Sequence, residues 1–227
     1  MPRRPPTRGI TTAAKLLKYY RTYNKFRPFT MICRETYIAN LYLVERALAN
    51  DALDSGCIIE CGTWRGGMSA GLVTIGGPKR DYYFFDSFEG LPPVSARDGD
   101  DARRWQANAT YFCNCAATRD EFIGVVSRAR PPADRLHVHE GFFRTTFPDV
   151  IVPPIAILRL DADWYDSTIL CLEKFWNGLL PGALVLIDDY YAFEGCRRAV
   201  HRFLADRDVP EAIRRSRFGK VAYIVKS

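Results

Sequence analysis

Ile155-Ala156-Ile157-Leu158-Arg159-Leu160-Asp161-Ala162-Asp163-Trp164-Tyr165-Asp166-Ser167-Thr168 is the stretch on which the reading of this chain turns. Ile155 to Leu160 reads as a buried strand, and Thr168 to Leu180 reads as a helix. Two carboxylates, Asp161 and Asp163, therefore sit where a strand ends and a turn begins. Open α/β sheets bind ligands outside the carboxyl ends of their strands. A second strand, Ala183 to Ile187, ends in the same way in Asp188-Asp189. Four carboxylates at neighbouring strand ends repel one another unless a cation, a proton or a base shares their site. Hard oxygen ligands suit magnesium or calcium.

Outward from this centre the chain alternates strand and helix. Cys57 to Cys61 is the first strand and Met68 to Ile75 the helix after it. Tyr82 to Phe85 is the second strand, Arg119 to Ala129 a helix, and Leu136 to His139 a short third strand. Glu194 to Arg207 is the last long helix, and Ile213 to Ser216 with Val221 to Val225 reads as a closing antiparallel hairpin. This order predicts an α/β fold: a Rossmann-like, mainly parallel sheet with helices on both faces and an antiparallel C-terminal hairpin. Thr30 to Asn50 reads as a helix over the front of the sheet or against a second subunit, so a homo-oligomer is one expectation. Ser87 to Thr118, with its Gly, Pro and Asp content, reads as a lid that is mobile without ligand.

The chain has 227 residues, 48% of them hydrophobic, and a net charge of +6 with pI near 9.0. That suits one α/β domain, expected at 30–227, behind a basic N-terminal extension at 1–29 that is partly disordered or helical. No aromatic–basic motif accompanies the basic ends, so no nucleic-acid partner is expected. No apolar run is long enough to span a bilayer, and no secretory signal is visible. Seven cysteines without paired zinc spacing read as free thiols in a reducing cytoplasm.

The first strand, the turn Gly62-Thr63-Trp64-Arg65-Gly66-Gly67 and the following helix form a unit that binds nucleotide-like cofactors. Asp86, at the end of the second strand, is placed to accept ribose hydroxyls. Glu60 precedes the turn; it would repel a pyrophosphate and attract the amino group of a methionine moiety. The reading is S-adenosylmethionine rather than NAD, bound along Gly62 to Gly67 and Asp86. A Gly-rich turn alone is a weak signal.

The motifs also carry a family resemblance. Glu60-Cys61-Gly62-Thr63-Trp64-Arg65-Gly66-Gly67 resembles the E-x-G-V-W-R-G-G motif of the macrocin O-methyltransferase family. Asp86-Ser87-Phe88-Glu89-Gly90-Leu91-Pro92 matches its D-S-F-x-G-L-P, and Leu160 to Thr168 is similar to its L-D-x-D-x-Y-x-S-T. Asp188-Asp189-Tyr190 with Gly195 to Val200 fits its D-D-Y motif and the segment after it. Thr63 and Trp164 stand where the family often has Val and Met. The resemblance implies a class I, S-adenosylmethionine- and magnesium-dependent O-methyltransferase whose known relatives methylate sugar hydroxyls on antibiotics.

On this reading Asp161, Asp188 and Asp189 hold Mg²⁺, and a vicinal diol of a sugar-like small molecule is the natural acceptor. Asp163 is the candidate general base, with His139 as its competitor. Asp161 and Ser87 also border the cofactor. Gly141 and Phe142, in the turn after the third strand, are candidates for the adenine side, although Phe142 and Phe143 fit an apolar core equally well. Two other functions compete. Asp161-Ala162-Asp163 is also the D-x-D of metal-dependent glycosyltransferases, with Arg144 and Arg159 as phosphate partners; a non-catalytic binding module on the same fold is the second.

Overall fold

The register of the sheet places every strand-end motif on one line. In the computed structural model, which describes residues 12–108 and 113–227, β1 (Cys57–Cys61) lies between β2 (Tyr82–Asp86) and β4 (Ile155–Leu160). Cys61 pairs with Phe85 on one side and Leu160 on the other, and Leu160 pairs with Ile187 of β5 (Leu179–Ile187). The residues that follow these pairs, Gly62, Asp86, Asp161 and Asp188, form one edge of the sheet. β1 and β4 are buried along their whole length, as near-continuous apolar runs in a parallel sheet require.

Among the described residues seven strands run in the order β3-β2-β1-β4-β5-β7-β6, with β3 at Leu136–Glu140, β6 at Arg214–Arg215 and β7 at Ala222–Val225. β1 to β5 are parallel; β7 is antiparallel to β5, and β6 to β7. This is the expected sheet with its closing hairpin. Successive strands step one way from β1 and the other way from β4, so the crevice lies between β1 and β4.

The helices fall into two packed groups. α1 (Thr12–Phe26), α2 (Arg34–Ala47), α3 (Gly67–Gly76) and α5 (Arg119–Val126) form one; α4 (Gly99–Ala107), α6 (Phe143–Thr146), α7 (Tyr165–Phe175) and α8 (Glu194–Asp206) form the other. Tyr19 and Phe26 of α1 are buried, so this basic helix is fastened to the body of the fold. The segment 1–9, expected to be disordered, lies outside the described residues. No described helix is long and apolar enough to cross a membrane.

Several boundaries differ from the sequence reading: the helix expected over Thr30 to Asn50 runs from Arg34 to Ala47, and that expected to reach Ala129 ends at Val126. The helix expected to reach Leu180 stops at Phe175, passes through a tight turn at Trp176–Gly178, and gives way to β5 at Leu179. Leu179 and Leu180 are apolar and fit either element; pairing of Leu179 with Ile155 decides for the strand. The connection from Ser87 to Thr118 is also more structured than a bare lid. It contains α4, and the indole N–H groups of Trp164 and Trp64 donate to the carbonyls of Pro92 (2.9 Å) and Ala116 (3.2 Å). Asp98 holds it to the start of α7, accepting from the Tyr165 backbone N–H at 2.6 Å.

Candidate active site

Gly62 opens the site because nothing larger fits there. Its φ is +83°, and a Cβ on it would lie 1.8 Å from the Asp161 carbonyl oxygen. The left-handed conformation and the close approach of β1 and β4 both demand glycine. Gly66 has the same φ, but a Cβ there would strike Phe122, and one on Gly67 would meet the Phe29 carbonyl at 2.5 Å. These two glycines therefore serve helix packing.

A cavity of about 500 Å³ lies over this edge. Gly62, Thr63, Trp64, Asp86, Ser87, Phe142, Asp161 and Asp163 line it, and so do Leu91, Pro92, Trp105, Cys115, Arg144 and Trp164. Glu60, Arg65, Gly66, Gly67 and Gly141, expected on the cofactor side, are not among its walls. Glu60 is fully buried; it accepts from Arg159 at 2.7 Å and from the Ser69 hydroxyl. Burial raises its pKa to about 7, against the pull of Arg159 and Ser69. Glu60 thus presents no exposed oxygen to the cavity.

Asp86 organises the turn. One carboxylate oxygen accepts from the backbone N–H groups of Thr63 (2.6 Å) and Trp64 (2.8 Å), the other from that of Phe88 (2.8 Å). Trp64 and Phe88 both have positive φ, 47° and 56°. Such non-glycine conformations persist where surrounding contacts over-determine them, and these hydrogen bonds do so. The Thr63 hydroxyl also donates to the first oxygen, at 3.3 Å, so only the second oxygen, with its single donor from Phe88, can accept one more from a ligand.

Asp161, Asp163 and Asp189 converge, each offering a carboxylate oxygen within 4.8 Å of the others. Asp163 reaches this position with φ +53°, and its N–H donates to Asp189 at 3.0 Å. Burial raises the pKa of Asp161 to about 6, opposed by Arg159 and reinforced by Asp188. Asp163 and Asp189 also rise well above the carboxylate range, through burial and then through neighbouring negative charge. Oxygen donors that hold their protons this tightly suit a hard divalent cation, whose charge would favour ionisation of all three whether or not each binds it directly. The sequence reading placed Asp188 in this set and Asp163 outside it. Here Asp188 lies beside the cluster, with an oxygen 2.9 Å from Arg159 Nη2, and Asp163 takes part in the convergence.

His139 does not line the cavity. Paired with Phe85 in register, it stacks on that ring with centroids 4.7 Å apart. Burial lowers its pKa, and its Nε2 is buried without a partner.

Sequence reasoning missed two residues. Arg159, a charge in an otherwise apolar strand, enters the sequence reading only as a phosphate partner in the competing glycosyltransferase function. It is fully enclosed by Glu60, Asp161 and Asp188, so a diphosphate cannot reach it, and among the described lining residues only Arg144 is basic. Asp98, 1% exposed, spends both oxygens inside the protein: one on Tyr165, the other on the N–H and hydroxyl of Ser95. Nothing in its sequence neighbourhood marks it out.

Comparison with known proteins agrees with this geometry. The model of the Macrocin-O-methyltransferase (TylF) family matches residues 22–223. The chain is 35% identical over 171 residues to the 8-demethyl-8-(2,3-dimethoxy-alpha-L-rhamnosyl)-tetracenomycin-C 4'-O-methyltransferase of Streptomyces olivaceus, an alignment covering 71% of this chain and 62% of that protein. It is 29% identical over 206 residues to the Mycinamicin III 3''-O-methyltransferase of Micromonospora griseorubida, covering 86% and 79%. The chain thus spans less than two thirds of the length of the tetracenomycin relative. The fold is similar to the solved structure of the O-methyltransferase NovP, with a TM-score of 0.71 at 22% identity over 84% of this chain and 80% of that one. A family match over nearly the whole described chain, together with the glycine turn and the strand-end carboxylates, leads to one conclusion: the chain belongs to the macrocin O-methyltransferase family.

Proposed function

We propose that this protein transfers the methyl group of S-adenosylmethionine to a hydroxyl of a sugar or glycosylated small molecule, with Mg²⁺ at the strand-end carboxylates. The observation that carries the reading is the convergence of Asp161, Asp163 and Asp189, of which Asp161 and Asp163 line a cavity whose other wall is the Gly62–Trp64 turn. The sugar-modifying relatives support the acceptor class, and a vicinal diol suits two neighbouring oxygen positions on a hard cation.

Asp161 and Asp189 would hold the cation, with Asp188 beside them. Bound there, Mg²⁺ stabilises negative charge developing on an acceptor oxygen. The chain's own part is orientation and proton removal. Gly62, Thr63 and Trp64 offer close backbone approach to the cofactor, while Ser87 and Phe142 border it. Asp163 takes the hydroxyl proton on a carboxylate oxygen as the new oxygen–methyl bond forms and the sulfur–methyl bond breaks. Trp164 and Asp98 keep the Pro92–Asp98 segment closed over the reacting groups, which limits water. Positioning of this kind contributes on the order of 7–11 kcal/mol in favourable cases. Seven free cysteines support a reducing, cytoplasmic setting.

The test is transfer of an isotopically labelled methyl group from S-adenosylmethionine to a panel of rhamnosides, other glycosides and catechols, with Mg²⁺ or with chelator. The proposal expects labelled glycoside only with Mg²⁺. Label on catechols alone overturns the acceptor class, and equal transfer in chelator overturns the cation.

A further inference from the structure

Arg159 is the one charged residue of β4, and its surroundings follow from the pleat. Side chains two apart on a strand share a face, so Arg159 and Asp161 point the same way. In register, Arg159 sits opposite Glu60 on β1 and Leu186 on β5. Glu60 is thus its direct cross-strand neighbour and Asp188, two residues beyond Leu186, a diagonal one. The guanidinium, 0% exposed, meets all three: Nη1 lies 2.7 Å from Glu60 Oε1 and 2.9 Å from Asp161 Oδ2, and Nη2 lies 2.9 Å from Asp188 Oδ1.

From this geometry we infer that Arg159 is a positioning residue that sets the spacing of Asp161, a cation donor, and its neighbour Asp188 for a small divalent cation at the Asp161–Asp163–Asp189 cluster. The inference rests on the cation reading above. Nη1 donates to Asp161 Oδ2, while Nη2 faces Asp188 Oδ1 as a close ion pair without hydrogen-bond alignment, so the guanidinium engages one oxygen of each. A guanidinium is planar and rigid, so it fixes two partners at once; an ammonium is a point charge and cannot. Mg²⁺ demands near-octahedral geometry at about 2.0–2.1 Å, whereas Ca²⁺ accepts irregular shells at about 2.3–2.6 Å. A fixed spacing therefore favours the smaller ion. Glu60 holds the fork from behind and is itself held by Ser69 of α3.

The experiment titrates metal-free protein with Mn²⁺, reading free ion by electron paramagnetic resonance, and follows Tm in the same samples. Ca²⁺ competition gives the selectivity. Partners that orient metal ligands typically contribute about 10–100-fold in affinity. Arg159→Lys is expected to weaken Mn²⁺ by that amount and Ca²⁺ by less. Glu60→Gln, which keeps an acceptor for Nη1 and leaves both aspartates beside the guanidinium, is expected to lose less than the lower end of that range, about 10-fold. A merely structural arginine would lower Tm in Arg159→Lys and leave the Mn²⁺ affinity unchanged; that result overturns the inference while the cation reading stands. Equal weakening in Glu60→Gln also overturns it. Failure of the wild-type protein to bind Mn²⁺ overturns both. Should Arg159→Lys not fold, a crystal structure of the Mn²⁺-loaded wild-type protein decides. Arg159 must still contact Asp161 Oδ2 and Asp188 Oδ1, with the metal on the other oxygen of Asp161; loss of either contact refutes the assignment.

Discussion

Stripping the cation should make this protein less stable as pH rises towards neutrality. Asp161 carries the magnitude: its pKa is raised from 3.8 to about 6, mainly by burial, and its side chain is 29% exposed, so solvent screens it little. Between the unfolded and folded pKa values the folded protein binds the proton that the unfolded chain has released. Stability therefore falls as pH climbs from about 4 to about 7. A rise of roughly two pH units, at about 1.36 kcal/mol each, is about 3 kcal/mol. For a chain of this length that is a fall in Tm of about 6–12 °C. Asp163, Asp189 and Glu60 act in the same sense. His139, with its pKa lowered, opposes them weakly, costing stability as pH falls through about 6.5. Glu211, lowered to about 2, acts only below this window. Saturating Mg²⁺ binds the ionised carboxylates and should flatten the slope. The assay is Tm by differential scanning calorimetry at pH 5, 6, 7 and 8, each with Mg²⁺ and with chelator. A chelator curve that rises with pH, or one that Mg²⁺ does not alter, refutes the reasoning.

Two substitutions test the frame around the carboxylates. Gly62→Ala should abolish cofactor binding and lower stability by several times the roughly 1 kcal/mol of ordinary mutations, because its Cβ would overlap the Asp161 carbonyl; calorimetric S-adenosylmethionine binding at wild-type affinity would contradict this. Asp98→Ala removes the acceptor of three hydrogen bonds at 2.6 Å and should cost about 2–4 kcal/mol, with faster proteolysis in 87–118; an unchanged Tm would show that the segment is held elsewhere.

The sheet was legible because its strands are short apolar runs that end in glycine or aspartate, and parallel pairing in register turns those ends into one edge. The carboxylates were legible for the same reason: Asp161 and Asp189 follow buried strands that have nowhere else to stop. What escaped the reading depends on side-chain direction. Arg159 looked available until the pleat turned it onto Glu60, Asp161 and Asp188. Glu60 looked ready for a ligand until Ser69 and Arg159 occupied it. Gly66 and Gly67 belong to a recognisable turn, but their space is taken by Phe122 and Phe29, residues distant in sequence. The lid's fastenings join Asp98 to Tyr165 and Trp164 to Pro92, about 70 residues apart, and no local pattern announces such pairs.

The central claim is that Asp163, within the carboxylate cluster, removes the acceptor's proton. Its most direct test compares single-turnover methyl transfer by Asp163→Asn and His139→Ala, each with saturating Mg²⁺ and S-adenosylmethionine. Asn tolerates the left-handed φ of +53° as Asp does, so the backbone keeps its shape. The account predicts a loss of about 10²–10⁴-fold for Asp163→Asn, with cofactor affinity intact, and near wild-type turnover for His139→Ala. A fully active Asp163→Asn beside a dead His139→Ala would contradict it.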